Sequence, residues 1–407
     1  MFSCRRLILV SLLCILLCGI VSLAQSSAVE VTAFRPAALY AGPGETYTQL
    51  GQLRAGVPVQ VTERNAVGNW LHIAREDANI DGWVMTGYLN RNPDLLFSQI
   101  PVNDTLADAD LSAVSYLSLQ RLYAAPVIPE VSPAMRDVYA RGLALGNHSS
   151  VITKVGDSLT ADPLYLTPMY QGDHVLGSYD YLDETIDYFG ASMRDLSVAA
   201  RIGMTSYTVD DPMWRDPYLC EAGESPLECE YRRKQPSIAL IMFGGNDVLH
   251  VTDSRFAGQM RLIVEESLER GIIPVLSTFS YHPDSRYWWQ SVNLNLAVVE
   301  IGEEYDVPVI NLWSAARSLP MYGLEADGTH MTHSGFYQLK FDTGHESWYG
   351  VSLRNLLSIR MLDELRRTLE MDVPAAPEAT ATAEATAAAE ATESAEATST
   401  AEATEGD

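Results

Sequence analysis

The chain is 407 residues long and 47% hydrophobic, enough for a packed core in two or three domains and too much for wholesale disorder. Its 53 Asp and Glu against 27 Lys and Arg give a formal net charge of −26. That balance, with no basic stripe interleaved with aromatics, argues against nucleic acid as a partner, which needs clustered Lys and Arg.

The first residues read as an export signal, residues 1–24. Arg5 and Arg6 precede an apolar stretch from Leu7 to Leu23, and Ser22-Leu23-Ala24 is a small-x-small cleavage site, so cleavage is expected after Ala24. An uncleaved anchor is the alternative, since the run nearly reaches spanning length. No later segment is long and apolar enough to span a bilayer, so the mature chain is expected to be secreted or associated with a bacterial cell surface. Three of the five cysteines fall in the signal. The remaining two, Cys220 and Cys229, are expected to form a disulfide in an exported chain, with two free thiols as the alternative. Closing so short a loop stabilises it by about 2–3 kcal/mol, chiefly by restricting the unfolded chain.

Residues 29–90 read as a small all-β unit. Apolar and β-branched residues alternate in Val57-Pro58-Val59-Gln60-Val61-Thr62, and turn signals recur at Ala41-Gly42-Pro43-Gly44, Leu53-Arg54-Ala55-Gly56 and Val67-Gly68-Asn69. Leu39-Tyr40-Ala41-Gly42-Pro43-Gly44, Leu50-Gly51-Gln52-Leu53, Gly68-Asn69-Trp70-Leu71 and Asp81-Gly82-Trp83-Val84, in that order, resemble a bacterial SH3-like domain. The resemblance implies a small all-β barrel and attachment to a cell-wall or other extracellular polymer. A structural module without a ligand is the alternative, in which Trp70 and Trp83 are simply core.

Residues 91–149 read as a linker with helical pieces. Apolar residues at helical spacing predict a helix over 134–145, stopped by Gly146-Asn147. Residues 150–371 then alternate apolar runs with amphipathic segments. Strands are expected over 151–155, 196–201, 238–243, 272–277 and 307–312, and helices over 254–270 and 287–305. This alternation implies a parallel sheet covered on both faces, with ligands bound beyond the carboxyl ends of its strands. The tail, 372–407, repeats Ala-Glu-Ala-Thr, lacks Lys, Arg and aromatic residues, and is expected to be disordered.

Three segments in the α/β region carry chemistry. Gly156-Asp157-Ser158-Leu159 follows the first strand. A serine hydroxyl there is presented at the sheet edge and becomes a nucleophile if a base removes its proton; alternatively Ser158 only caps a helix. Asp327-Gly328-Thr329-His330 places a carboxylate within one turn of an imidazole, which it can orient and stabilise when charged. His333 is the rival base. His330 and His333 with His345 or Asp342 would be a metal set, but no metal-ligand spacing supports it, and neither metal nor cofactor is expected. Gly244-Gly245-Asn246-Asp247 follows the strand at 238–243. Its Asn246 amide can donate to a developing oxyanion, although the tetrapeptide also suits a plain turn.

In this order and context the three segments resemble the SGNH, or GDSL-type, esterase and lipase superfamily, over roughly Val151 to Leu369. The resemblance implies a three-layer α/β/α, flavodoxin-like domain. By it Ser158 is the nucleophile, His330 the base and acid, and Asp327 its partner. The oxyanion hole comprises the Ser158 N–H, the Asn246 side chain and a glycine N–H. That glycine aligns to Gly203 in Arg201-Ile202-Gly203-Met204-Thr205-Ser206, with Gly190 as a weaker match; the Asn that usually precedes it is missing. No Gly-x-Ser-x-Gly elbow, phosphate loop, His-Glu-x-x-His or Cys-x-x-Cys is present.

The sequence therefore reads as an exported serine esterase acting on a carboxylic ester, with an acyl group on a carbohydrate or cell-surface polymer as candidate substrate. The alternatives are a small-ester or lipid hydrolase, and a non-catalytic polymer-binding protein on the same scaffold. The segment Asp210 to Gln235, with Trp214, Tyr218, both cysteines and Tyr231-Arg232-Arg233-Lys234, is either a wall of the pocket or a pinned surface loop. Trp288 and Trp289 raise the same choice between pocket and packed helix face.

Overall fold

The computed structural model describes residues 29–90, 95, 97–106, 116–171, 174–282, 285–335 and 339–372. The expected signal segment, 1–24, and the expected tail beyond residue 372 lie outside these residues. The chain divides into two compact units between Leu111 and Ser112.

The first unit is an antiparallel sheet of six strands: β1 (Glu30–Val31), β2 (Ala37–Tyr40), β3 (Gln49–Leu53), β4 (Val59–Arg64), β5 (Trp70–Arg75) and β6 (Ile80–Met85), in the order β1-β4-β5-β6-β2-β3. The alternation read in the sequence sets its faces: Val59 and Val61 of β4 point inward while Gln60 and Thr62 are more exposed. Ala33, just past β1, bridges Ala55, just past β3, so the two edges of the sheet meet. Trp70 and Trp83 are buried in the core with Leu53, Leu71, Ile73 and Val84. The β4–β5 turn is built on Asn65, whose Oδ1 accepts from Gly68 N at 2.9 Å and Trp70 N at 3.0 Å. Buried Arg64 donates to the carbonyls of Phe97, Asn65 and Ala66, which replaces the water it loses.

In the second unit, α1 (Tyr116–Ala124) and α2 (Ala134–Ala144) precede β7 (His148–Gly156) and the single turn α3 (Ser158–Ala161). Then follow α4 (Asp183–Met193), α5 (Pro226–Lys234), β8 (Pro236–Met242), α6 (Asp253–Glu269), β9 (Ile273–Ser277), α7 (Trp288–Tyr305), β10 (Val309–Ile310), α8 (Leu312–Ala316) and α9 (Gly350–Thr368). Strands β7, β8, β9 and β10 pair in parallel in that order. Every residue of β8 and β9 is buried, as continuous apolar runs covered on both faces require.

On the free side of β7, Ala200 bridges Gly156 in parallel, with Gly156 N donating to Ala199 O and Arg201 N to Gly156 O. Across the sheet the chain therefore runs second, first, third, fourth, fifth: the flavodoxin-like order of a three-layer α/β/α domain. The strand expected over 196–201 is only this bridge. The Val198 N–H goes to the Glu230 carboxylate at 2.9 Å rather than to a ladder partner.

Helices α1 and α2, which fall within the segment read as a linker, are built into this second unit. Leu119, Leu122 and Tyr123 are buried, and Asn311 Nδ2 donates to the carbonyls of Leu122 and Ala125. Helix α2 lies so close to the segment entering β9 that a methyl group on Gly142 would sit 2.1 Å from the Gly271 oxygen. Gly142→Ala is therefore expected to destabilise this unit by about 1–3 kcal/mol, the usual cost of overpacking. Denaturant unfolding checks it; an unchanged midpoint would mean that α2 does not press on the sheet.

Candidate active site

Strand β7 ends where backbone segments crowd together. A Cβ at Gly156 would lie 2.3 Å from Thr160 Oγ1 and 2.5 Å from Met242 O, so only glycine passes between β8 and the turn above it. Asp157 caps that turn, its Oδ1 accepting from Leu159 N at 3.0 Å. Ser158 is the first residue of α3. From α9, Arg354 donates to Leu159 O at 2.6 Å and Thr160 Oγ1 at 3.0 Å, its guanidinium 3.7 Å from the centre of the Tyr165 ring. Asn355 beside it accepts from Leu166 N and donates to Leu164 O. The signal of this support in the sequence is the adjacent Arg354-Asn355 pair, flanked by Leu353, Leu356 and Leu357.

The imidazole arrives on a second loop. Ser158 Oγ lies 3.4 Å from His330 Nε2, and His330 Nδ1 lies 2.6 Å from Asp327 Oδ2. With Nδ1 donating to the carboxylate, Nε2 is left as the acceptor facing the serine. The serine contact is long, as is common before substrate binds. The other carboxylate oxygen of Asp327 accepts from Thr329 N and His330 N, each at 3.0 Å. Partial burial pushes the Asp327 carboxyl up, but these hydrogen bonds and the imidazole outweigh it and hold the group below the usual carboxylate range. Both side chains remain about half exposed. His333 turns away into its own loop, Nδ1 accepting from Gly335 N at 3.2 Å.

That loop is a narrow hairpin. Leu324 bridges Met331, and Glu325 N donates to His330 O. At its root Met321, Tyr322 and Gly323 are left-handed in succession, with φ of +49°, +60° and +70°. For the two non-glycine residues this costs about 1–2 kcal/mol each. The Tyr322 carbonyl accepts from Ser280 Oγ at 2.8 Å.

Two further loops complete this edge of the sheet. After β8, Gly244 adopts φ +129°, and a Cβ there would run into the Phe279 ring at 1.9 Å. Buried Asp247 accepts from Ser206 N at 3.0 Å, Ser206 Oγ at 2.6 Å and Gly244 N at 3.1 Å. Asn246 Nδ2 donates to Met204 O at 3.0 Å. These bonds lace the 201–206 loop to the 244–247 loop, so Gly203 and Asn246 stand in loops tied side by side. Gly203 is exposed, left-handed at φ +79° and free of neighbours within 4 Å of an added Cβ. Gly190 lies inside helix α4, where its N–H belongs to the helical ladder.

The Asp210–Gln235 segment splits in two. Its second half is structural: helix α5 opens on a Ser225/Glu228 capping box and buries Glu230, which accepts from Thr153 Oγ1 as well as Val198 N. Arg232 pairs with Glu224 and Lys234 with Asp195, so these cations serve the fold. Its first half is a surface loop, with Met213 86% and Tyr218 94% exposed. Cys220 joins Cys229 with an S–S distance of 2.06 Å, and Arg201 Nη1 holds Trp214 O at 2.7 Å. Among the described residues the one group of three with metal-ligand reach is Cys220, Glu224 and Cys229, and its two thiols are joined in the disulfide. Trp288 is buried in α7 with Trp289 edge-on at 4.7 Å, a packed helix face.

Burial pushes the Asp157 carboxyl up to about 6, against the pull of the Leu159 N–H and Arg354. The folded chain therefore takes up a proton near pH 6 that the unfolded chain takes up only near 3.8, the ordinary value. Asp157 penalises folding at neutral pH, and the penalty is relieved on acidification from pH 7 towards 4, by up to about 3 kcal/mol. Asp157→Asn should lack that gain. Unfolding midpoints of both proteins at pH 7 and pH 5 check this; parallel pH dependences would refute it.

Residues 154–337 match the model of the GDSL-like Lipase/Acylhydrolase family, and residues 36–90 match that of the Bacterial SH3 domain. Among solved structures, the chain is similar to a lipase/acylhydrolase from Enterococcus faecalis, with 22% identity and a TM-score of 0.35 over 53% of this chain and 95% of that one. It is similar to Axe2, an acetylxylan esterase from Geobacillus stearothermophilus, with 16% identity and a TM-score of 0.36 over 53% of this chain and 95% of that one. A third is a GDSL-like lipase from Bacteroides thetaiotaomicron, with 14% identity and a TM-score of 0.33 over 56% and 97%. No curated protein matches the chain. With its SH3 match ahead of the parallel-sheet unit, the chain carries a bacterial SH3 domain followed by a domain of the GDSL-like lipase/acylhydrolase family.

Proposed function

We propose that the protein is an exported serine esterase that hydrolyses carboxylic esters through Ser158, His330 and Asp327. The observation that carries this reading is the hydrogen-bonded relay from Ser158 Oγ through His330 to Asp327 at the carboxyl edge of the sheet. His330 Nε2 takes the hydroxyl proton as Oγ bonds to the ester carbonyl carbon. The negative charge moves to the carbonyl oxygen, and the imidazolium is held by Asp327. The donors for that oxygen are the N–H groups of Ser158 and Gly203 and the Asn246 amide, which has a second hydrogen beyond the one given to Met204 O. When the C–O bond breaks, His330 returns the proton to the leaving alcohol and the acyl group stays on Ser158. Water, deprotonated by His330, then releases the acid.

Half-exposed Asp327 and His330 leave the site open to large molecules. Together with the SH3 domain, this favours an acyl group on a carbohydrate or other extracellular polymer as substrate, the SH3 domain keeping the enzyme on that polymer. Export rests on the N-terminal Arg5-Arg6 and apolar pattern; among the described residues no helix is long and apolar enough to cross a membrane.

An ester panel read for acid release, acetylated polysaccharides included, together with labelling of Ser158 by an organophosphonate, tests the reading. A protein that neither hydrolyses short p-nitrophenyl esters nor takes the label is not a serine esterase. Ser158→Ala should lower kcat by roughly 10⁴- to 10⁶-fold while the thermal midpoint stays close to wild type; retained turnover would remove Ser158 as nucleophile. Activity should also fall on acidification, because a protonated His330 has no lone pair with which to take the serine proton. A rate that stays flat far into the acid range would rule out a histidine base.

A further inference from the structure

Behind the hairpin that carries Asp327 and His330 lies a buried cation that the relay does not use. Arg317, one residue past α8, is fully buried. Its guanidinium lies between two aromatic rings, 4.7 Å from the Trp313 centroid and 4.5 Å from that of Tyr322. Its Nη2 donates to Tyr281 O at 3.2 Å, while Nε and Nη1 meet no acceptor among the described residues. Among the described residues no carboxylate pairs with it. An unpaired buried charge is a poor way to stabilise a fold, since an apolar side chain of similar volume commonly does as well or better.

What Arg317 touches suggests another purpose. Tyr322 is the central residue of the left-handed root of the hairpin. Its carbonyl is gripped by Ser280 Oγ, and its ring meets the His282 ring edge-on at 5.4 Å. His282 in turn lies under the hairpin tip, where a methyl group on Gly328 would be 3.4 Å from its Cβ. Gly328 separates Asp327 from Thr329 and His330. A continuous line of contacts thus runs from Arg317 through Tyr322 and His282 to the loop that carries the imidazole.

We infer that Arg317 is a positioning residue: its flat guanidinium, stacked on Tyr322 and bonded to Tyr281, fixes the root of the hairpin and thereby the reach of His330 to Ser158. The inference rests on the esterase reading of Ser158 and His330. It separates stability from rate, because a purely structural arginine would lose both together.

Arg317→Met, which keeps the volume and removes the charge and fork, is the test. Its thermal midpoint should equal or exceed that of wild type. The kcat on a short p-nitrophenyl ester should fall roughly ten- to a hundredfold, as misplacement of a catalytic group by about 1 Å does, with KM within about twofold. Arg317→Lys should not restore kcat, since an ammonium keeps the charge but neither stacks flat nor presents the fork. The low-field NMR signal of the His330 Nδ1 proton bonded to Asp327 reads the loop without turnover and should shift in Arg317→Met. Unchanged kcat with an unshifted signal overturns the inference, as does a loss of activity that only tracks a loss of folded protein. If Arg317→Met fails to fold, Ser280→Ala reads the same brace by freeing the Tyr322 carbonyl, and wild-type kcat there overturns it. A wild-type protein without esterase activity, whose Nδ1 signal nonetheless shifts in Arg317→Met, would overturn the reading of function and leave the brace standing.

Discussion

Gly156 is hemmed in by β8 on one side, by the Ala199–Arg201 segment on the other and by the α3 turn above. The backbone threads this gap because the residue has no side chain; an added Cβ would fall 2.5 Å from Met242 O. Its position is also where the chain changes direction across the sheet, with one neighbour reached from each side of β7. Loops leaving the two neighbouring segments diverge at such a point and open a crevice. Into that crevice project the turn bearing Ser158, the loop bearing Gly203 and the loop bearing Asn246. Moving β7 by the width of a methyl group would disturb all three together.

The loops are not left to find their places singly. Asp247 draws Ser206 and Gly244 onto one carboxylate, Arg354 holds the α3 turn from the far end of the chain, and Phe279 fills the space that Gly244 leaves vacant. Buried ionised groups are expensive unless their hydrogen bonds are met. Here Asp157, Asp247 and Arg354 all sit in the shell beneath the site. Burial raises the two carboxyls and lowers the guanidinium, so each disfavours its own charge. The rigidity of the edge is thus obtained at some expense of stability, a common arrangement where geometry matters more than strength.

The main strands were legible because β8 and β9 are nearly continuous apolar runs of strand length, and because Val151, Ile152 and Val155 of β7 stand just ahead of the Gly156-Asp157 turn. The four polar side chains read from the sequence, Ser158, Asn246, Asp327 and His330, lie in the loops at the same edge, and three of them form one relay. What the sequence did not disclose follows from long-range contacts. Leu196–Arg201 has the composition of a strand, yet Glu230, some thirty residues away, takes the Val198 N–H and leaves a single bridge. Trp70 and Trp83 could be placed in a core or on a surface until their partners were known. The left-handed run at Met321–Gly323 carries just one glycine and has no turn signature, so nothing local announced it.

The disulfide joins two parts that differ in kind. Cys229 stands on a helix rooted in the core through Glu230 and Tyr231, whereas Cys220 closes a loop whose Met213 and Tyr218 face solvent. The loop is therefore held by the covalent pin, by Trp214, which packs against the core with its carbonyl on Arg201, and by Arg232, which reaches the Leu219 carbonyl. For protein engineering the positions open to rewriting are the solvent-facing Met213 and Tyr218, with Trp214, the pin and the helix left in place. Libraries built there would vary the exposed surface that adjoins Arg201 without touching the scaffold beneath it.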